Sequence, residues 1–169
     1  MPYIDMEIIF NVFVDFDGNN RGTVLITNSH LEKWNIKKEF LYSIASRNTE
    51  KIMPFEFMAM EDILQELTGE EFEPSENEMY VLSNKDRCFG AAVLLYKDAL
   101  KNVADILQDD YYILPSSVHE LIIIPKLKSV GKDELTLMVK DVNATQLEPE
   151  EILSDHAYFY SRRMEAVYE

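Results

Sequence analysis

Four polar residues within five positions, Ser116, Ser117, His119 and Glu120, have the side-chain types that nucleophilic catalysis uses. That chemistry requires a hydroxyl nucleophile, a base that takes its proton near neutral pH, and a group that orients the base. If residues 117–124 are extended, Ser117 and His119 share one face of a strand and Glu120 lies on the other. Glu120 then cannot orient His119, so a hydrolase would need a distant carboxylate or amide for that role.

The same residues fit a purely structural connection between two strands. Pro115 restricts φ, a serine hydroxyl can bond a nearby backbone amide, and His119 can occupy a buried or edge position. We favour this scaffold interpretation, because polar clusters of this kind also serve structural networks. The alternative is an uncommon hydrolase that uses Ser116 or Ser117 with His119.

Neither a cofactor site nor a metal site is predicted. The three histidines, His30, His119 and His156, lack the paired spacing of a zinc site, and Cys88 is the single cysteine. The sequence contains no G-x-x-x-x-G-K-[ST] phosphate loop, no G-x-G-x-x-G dinucleotide loop and no G-x-S-x-G nucleophile elbow. These absences count against the common nucleotide-binding and hydrolase folds.

The elements that must position these residues alternate between strand pairs and helices. Short apolar or alternating runs predict strands, and apolar stripes at helical spacing predict helices. The strands are expected at 7–16, 23–27, 79–83, 88–95, 111–114 and 121–124, and the main helices at 36–47, 56–67, 97–108, 135–142 and 149–163. We therefore predict an α+β fold, with a mostly antiparallel and possibly mixed sheet of three hairpin-like strand pairs, packed by about five helices. The helix at 97–108 could instead connect two parallel strands.

Two local features add to this outline. Gly90, with the alanines that follow it, is small enough for another element to approach closely. Five glutamates surround Pro74, so we interpret 68–78 as an exposed acidic loop. The length of 169 residues is typical of one domain, and we predict a single domain over residues 1–169.

The charge balance limits the class of partner. The chain has 31 acidic and 16 basic residues and a net charge of −15, which disfavours nucleic acid and an anionic membrane surface. No apolar run approaches the ~18 residues of a membrane span, and the first residues lack the basic region of a signal peptide, so we expect a cytoplasmic protein. A protein partner is possible, through the acidic loop at 68–78 or the aromatic residues of the C-terminal helix at 149–163. The oligomeric state stays open.

Several segments together resemble a known family of bacterial proteins, the domain-of-unknown-function family 5688. They are Trp34 with 45–49 (Ala-Ser-Arg-Asn-Thr), 79–84 (Met-Tyr-Val-Leu-Ser-Asn), 90–96 (Gly-Ala-Ala-Val-Leu-Leu-Tyr), 112–120 (Tyr-Ile-Leu-Pro-Ser-Ser-Val-His-Glu), 138–143 (Met-Val-Lys-Asp-Val-Asn) and 153–158 (Leu-Ser-Asp-His-Ala-Tyr). The resemblance implies a bacterial cytoplasmic protein and brings no activity, substrate or cofactor. We therefore predict a non-enzymatic protein-binding or regulatory module, with the hydrolase as the alternative.

Overall fold

The computed structural model describes residues 1–15, 21–72 and 78–169. The chain divides into two compact units, unit 1 (Met1–Lys51) and unit 2 (Ile52–Glu169). The interpretation of residues 1–169 as a single domain stays a prediction. Across the described residues, no helix combines the length and the apolar character that a membrane crossing requires.

Unit 1 consists of two small antiparallel sheets and two helices. The elements are β1 (Pro2–Tyr3), β2 (Met6–Glu7), β3 (Asn11–Asp15), β4 (Arg21–Leu25), α1 (Asn28–Trp34) and α2 (Lys38–Ile52), the last of which ends at the first residue of unit 2. β1 pairs with β2, and β3 pairs with β4 in the register Asn11 to Leu25. The predicted first hairpin is thus confirmed at β3 and β4, while residues 16–20, which connect them, lie outside the described residues.

Unit 2 is built on one six-stranded sheet. Its elements are β5 (Phe55–Ala59), α3 (Met60–Thr68), β6 (Tyr80–Asn84), a 3-10 helix (Gly90–Leu95), α4 (Ala99–Leu107), β7 (Tyr111–Leu114), β8 (Leu121–Pro125), a 3-10 turn (Lys126–Lys128), α5 (Lys132–Thr145), β9 (Tyr158–Ser161) and β10 (Ala166–Tyr168). The strand order is β10-β9-β7-β8-β6-β5, and every pairing among the described strands is antiparallel. The predicted α+β class with an antiparallel sheet is confirmed, and the parallel connection through α4 is wrong.

The core of unit 2 lies on the central strands β7 and β8. Tyr111, Ile113, Leu121 and Ile123 are fully buried there. α5 packs on the same strands through an apolar cluster that consists of Leu114, Ile124, Leu135, Val139 and Ala157. The connection at 115–120 therefore joins the ends of two buried strands in the middle of the sheet.

The predicted helix at 56–67 is wrong in its first part, where the chain forms β5. Phe55–Ala59 pairs with β6 along its whole length, and the Phe57 ring stacks on Tyr80 with centroids 4.9 Å apart. A short apolar run cannot be assigned to strand or helix from its periodicity alone, and the aromatic pair across the two strands favours the strand here. The helix begins only at Met60.

The predicted strand at 88–95 is also wrong. Arg87 and Phe89 have φ of 49° and 50°, so the chain leaves the extended region before it enters the 3-10 helix Gly90–Leu95. Gly90, Ala91, Val93 and Leu94 are buried in that helix. The apolar character of the run was therefore a correct sign of burial and no guide to its conformation.

The predicted C-terminal helix at 149–163 is wrong, because residues 158–161 form β9 between β10 and β7. Tyr158 and Tyr160 are buried and Phe159 between them is half-buried, which is the two-residue period of a strand. The Tyr160 ring stacks on Tyr111 at a centroid distance of 4.9 Å. These aromatic residues belong to the sheet, so they do not form an exposed surface for a partner.

The predicted acidic loop at 68–78 is described only in part. Thr68 is the last residue of α3, and residues 69–72 are irregular and exposed. Residues 73–77 lie outside the described residues.

Candidate functional site

The Pro115–Glu120 connection joins β7 to β8 and folds back on itself. The Ser116 amide donates to the Leu114 carbonyl at 2.9 Å, and the Ser117 amide donates to the Glu120 carbonyl at 3.2 Å. Pro115 is fully buried. These local hydrogen bonds close a tight turn at the ends of β7 and β8.

The Ser117 hydroxyl is used within this turn. Its side chain is 8% exposed, and Oγ accepts the backbone N–H of His119 at 3.0 Å. A serine hydroxyl that bonds an amide two residues ahead stabilises the turn in place of a backbone bond. The Ser117 hydroxyl thus supports the connection between β7 and β8.

The His119 ring bonds the segment that follows β6. Its Nδ1 atom accepts the backbone N–H of Phe89 at 3.1 Å, and the two rings lie 5.5 Å apart. An imidazole that accepts at Nδ1 carries its proton at Nε2 when it is neutral. Neither nitrogen of that tautomer has a lone pair left for the proton of a serine.

The two segments approach so closely at Gly90 that only glycine fits. The Ser83 hydroxyl donates to the His119 carbonyl at 2.7 Å, and the Ala91 amide donates to the Val118 carbonyl at 3.2 Å. A Cβ atom on Gly90 would lie 1.9 Å from Ser83 Oγ and 2.3 Å from the His119 carbonyl oxygen. The close approach predicted at Gly90 is confirmed.

Asn84, which the sequence analysis did not single out, completes this polar cluster. It is fully buried, its Nδ2 donates to the Cys88 carbonyl at 2.9 Å, and its Oδ1 accepts the Cys88 amide at 3.3 Å. These two bonds hold the turn in which Arg87 and Phe89 take left-handed conformations. An asparagine at the end of an apolar strand was the signal that could have identified it.

The candidate catalytic residues are neighbours without forming a relay. No hydrogen bond joins a hydroxyl of Ser116 or Ser117 to the His119 ring in the part of the chain that the structure describes. Among the described residues, no group of three or more histidine, cysteine or carboxylate side chains lies close enough together to hold a metal ion. His30 instead caps α1, where its Nδ1 accepts the Thr27 amide at 3.0 Å.

A second polar cluster lies where α5 meets the segment before β9. The buried Asn143 side chain donates through Nδ2 to the Ser154 carbonyl at 3.0 Å and to Asp155 Oδ1 at 2.8 Å. The Tyr158 hydroxyl donates to Ser154 Oγ at 2.5 Å. Two of the segments that carry the family resemblance, 112–120 and 153–158, thus include polar residues that hold irregular chain against regular elements.

Unit 1 exposes many large apolar side chains and buries few. Among the described residues of unit 1, Leu31 is the one buried apolar side chain, whereas unit 2 holds a continuous core. Large apolar side chains of unit 1 that are exposed include Ile9, Val12, Phe13, Val24, Leu25, Trp34 and Phe40. Most of the large apolar side chains of unit 1 are therefore accessible to solvent in the described residues.

An open groove lies at the junction of α1 and α2. It has a volume of about 610 Å³ and includes Leu31 and Ile36 with Lys37 and Lys38. Trp34 and Phe40, 50% and 56% exposed, flank this junction on the ends of the two helices. We call these six residues the α1–α2 surface.

The segment that forms α1 and α2 has a small positive charge balance in an acidic protein, and the groove itself is lined by Glu32 and Glu39 beside Lys37 and Lys38. Residues 28–52 contain five lysines and arginines and three glutamates, against a net charge of −15 for the whole chain. Left-handed Asn35 (φ 52°) makes the sharp turn that brings the two helices together, and its amide donates to the Glu32 carbonyl at 3.1 Å. Apolar side chains beside lysines suit a ligand that is both apolar and acidic.

Comparison with known proteins identifies one family. No curated protein and no solved structure shows significant similarity to the chain. The family of unknown function DUF5688 matches residues 1–162, nearly the whole sequence. The chain is therefore a member of the DUF5688 family.

Proposed function

We propose that this chain is a non-enzymatic protein-binding module. Its α1–α2 surface binds a segment of a partner protein that is acidic and contains large apolar side chains. The observation that carries the proposal is the imbalance of unit 1, where Leu31 is buried while Trp34 and Phe40 are half exposed. Exposed apolar side chains grouped beside a groove and rimmed by charge are typical of protein interaction sites.

The choice of an acidic partner follows from charge. Lys37 and Lys38 line the groove together with Glu32 and Glu39. Lys33 lies one residue before Trp34, and residues 28–52 as a whole contain five basic and three acidic residues. The remainder of the chain is strongly acidic, so this basic segment is where an acidic ligand meets the least repulsion. Tryptophan is also the residue type most enriched among side chains that dominate binding energy.

The hydrolase alternative has less support from the geometry. A general base needs an acceptor nitrogen within reach of the serine hydroxyl, and His119 Nδ1 accepts the Phe89 amide. Ser117 Oγ accepts the His119 amide. These bonds favour a scaffold role for both residues. The absence of nucleic-acid partners and the cytoplasmic location stay predictions.

The test uses the single tryptophan of the chain as its reporter. Random peptides displayed on phage are selected on the immobilised full chain, and the selected peptides are synthesised. We expect sequences rich in Asp, Glu and large apolar residues, which shift the Trp34 emission to shorter wavelength on binding. Phe40→Ala and the double variant Lys37→Glu/Lys38→Glu should each weaken binding by about tenfold or more, since about 1.4 kcal/mol corresponds to a factor of ten.

The matched control is Leu127→Ala in unit 2, which removes a side chain that is 85% exposed and should leave peptide binding unchanged. Selection of basic peptides, or binding that leaves Trp34 emission and the Phe40 variant unaffected, would contradict the proposal. A blue shift with phosphatidylglycerol vesicles but with none of the peptides would assign the surface to membranes instead.

A further inference from the structure

The outer edge of β4 is an unprotected strand edge. In the part of the chain that the structure describes, β4 pairs with β3 alone, in a two-stranded sheet. Thr23, Val24 and Leu25 are exposed, Val24 by 49% and Leu25 by 51%. Residues 22–28 (Gly-Thr-Val-Leu-Ile-Thr-Asn) contain no charged residue and no proline. The charged residue of β4 is its first, Arg21. Charges and prolines are among the features that block edge strands, and an edge without them can pair with another strand.

The register of the hairpin shows which backbone groups face outward. The Ile26 amide donates to the Phe10 carbonyl at 2.8 Å, so residues 10 and 26 form a hydrogen-bonded pair. Every second pair of an antiparallel ladder is hydrogen-bonded, and the next such pair is Val12 with Val24. The amide and carbonyl of Val24 therefore face β3. Those of Thr23 and Leu25 consequently face the outer edge.

This edge is complementary to itself. When two copies of β4 are placed antiparallel about a two-fold axis at Val24, Thr23 of one copy lies opposite Leu25 of the other. The outward groups of both residues then find partners, and the two Val24 side chains form a closely spaced, non-hydrogen-bonded pair, which suits β-branched residues. No charged residue opposes its own copy within 22–26.

The distribution of charge also favours a second copy at this edge. Unit 1 contains seven acidic and six basic residues, while unit 2 contains 24 acidic and 10 basic residues. Unit 1 is nearly neutral, so contacts between two copies through unit 1 meet less electrostatic repulsion than contacts through unit 2. Burial of Val24 and Leu25 would also reduce the exposed apolar surface of a unit that buries little of its own.

From these observations we propose that the protein forms a symmetric dimer in which β4 pairs antiparallel with β4 of a second copy. The result is a continuous four-stranded sheet in the order β3-β4-β4-β3, with a two-fold axis at Val24. The interface is isologous, so it closes at two copies and does not propagate. It lies on a different element from the α1–α2 surface and does not depend on the proposed function.

Sedimentation of the full chain over a range of concentrations tests the dimer. We expect a dimer whose affinity rises with ionic strength, because salt screens the repulsion between two chains of charge −15. Val24→Lys and Val24→Glu each place like charges opposite each other at the axis, and each should weaken dimerisation by about tenfold or more. An equimolar mixture of the two variants should recover the dimer as a heterodimer.

Leu127→Lys, on an exposed side chain of unit 2, is the matched control and should sediment as the unchanged protein does. Circular dichroism of the Val24 variants establishes that they are folded. A monomer at every concentration, a Val24→Lys variant that remains dimeric, or a mixture that recovers nothing would each overturn the β4 pairing.

Discussion

The imidazole of His119 and the backbone amide of Phe89, 30 residues apart in the chain, are joined by a hydrogen bond of 3.1 Å. Phe89 has a left-handed backbone (φ 50°), an uncommon conformation for a bulky side chain. The ring of His119 thus stabilises a strained turn and, in doing so, uses the lone pair that a neutral imidazole would need to act as a general base.

We expect His119→Ala to lower the free energy of unfolding by about 1–3 kcal/mol, because the Phe89 amide loses its partly buried acceptor. Urea denaturation followed by circular dichroism measures the change. His30→Ala, which removes a ring from the exposed start of α1, is the control with a smaller effect. Ester or peptide hydrolysis by the parent chain that disappears in a stable His119→Ala variant would instead support the hydrolase.

Gly90→Ala should destabilise the fold by about 1–3 kcal/mol or more, since the added methyl group overlaps Ser83 Oγ and the His119 carbonyl oxygen. Adding Ser83→Ala removes the first overlap but leaves the second, with backbone, in place. The double variant Ser83→Ala/Gly90→Ala should therefore recover only part of the lost stability. Denaturation midpoints of the parent protein, the two single variants and the double variant measure the recovery. Full recovery would show that the His119 carbonyl can move aside.

Asn143→Asp, which replaces one amide nitrogen by an oxygen, should strongly lower the free energy of unfolding. The Nδ2 group of Asn143 donates to two acceptors, the Ser154 carbonyl and Asp155 Oδ1. A carboxylate at this buried position faces both acceptors with no proton to share, so we expect a loss of about 3 kcal/mol or more. Thermal unfolding measures it, with exposed Asn102→Asp on α4 as the control. A melting temperature equal to that of the control would refute the role of this amide.

Stability should fall as the pH rises above about 10, the usual pKa of tyrosine. Burial raises the pKa of Tyr160, and the neighbouring Glu165 carboxylate raises it further. The folded state therefore holds this proton more tightly than the unfolded state does. Its contribution is fully present below the unfolded pKa and is lost as the pH rises through the folded pKa.

Urea midpoints between pH 8 and pH 11 test this dependence. Tyr160→Phe should show a shallower alkaline decline than the parent protein, while Tyr168→Phe, on an exposed side chain, should follow the parent curve. Equal slopes for the parent protein and Tyr160→Phe would assign the decline to other groups.

The sequence by itself determined the features that depend on neighbours along the chain. The first hairpin, the helix of Ala99–Leu107, the strands on either side of 115–120 and the glycine at position 90 could be predicted, because turn residues and apolar periodicity act locally. The α+β class followed from the order of these elements.

Only the tertiary structure decided the conformation of short apolar segments that could pack against the core either as a strand or as a helix. Phe57 lies in a strand because Tyr80 is its neighbour across the sheet, and Tyr160 because it stacks on Tyr111. The role of His119 depends in the same way on the Phe89 amide, which approaches it from a turn thirty residues earlier. Such contacts join residues far apart in sequence, so no local pattern encodes them, and the free energy of packing selects among the conformations that each segment could adopt.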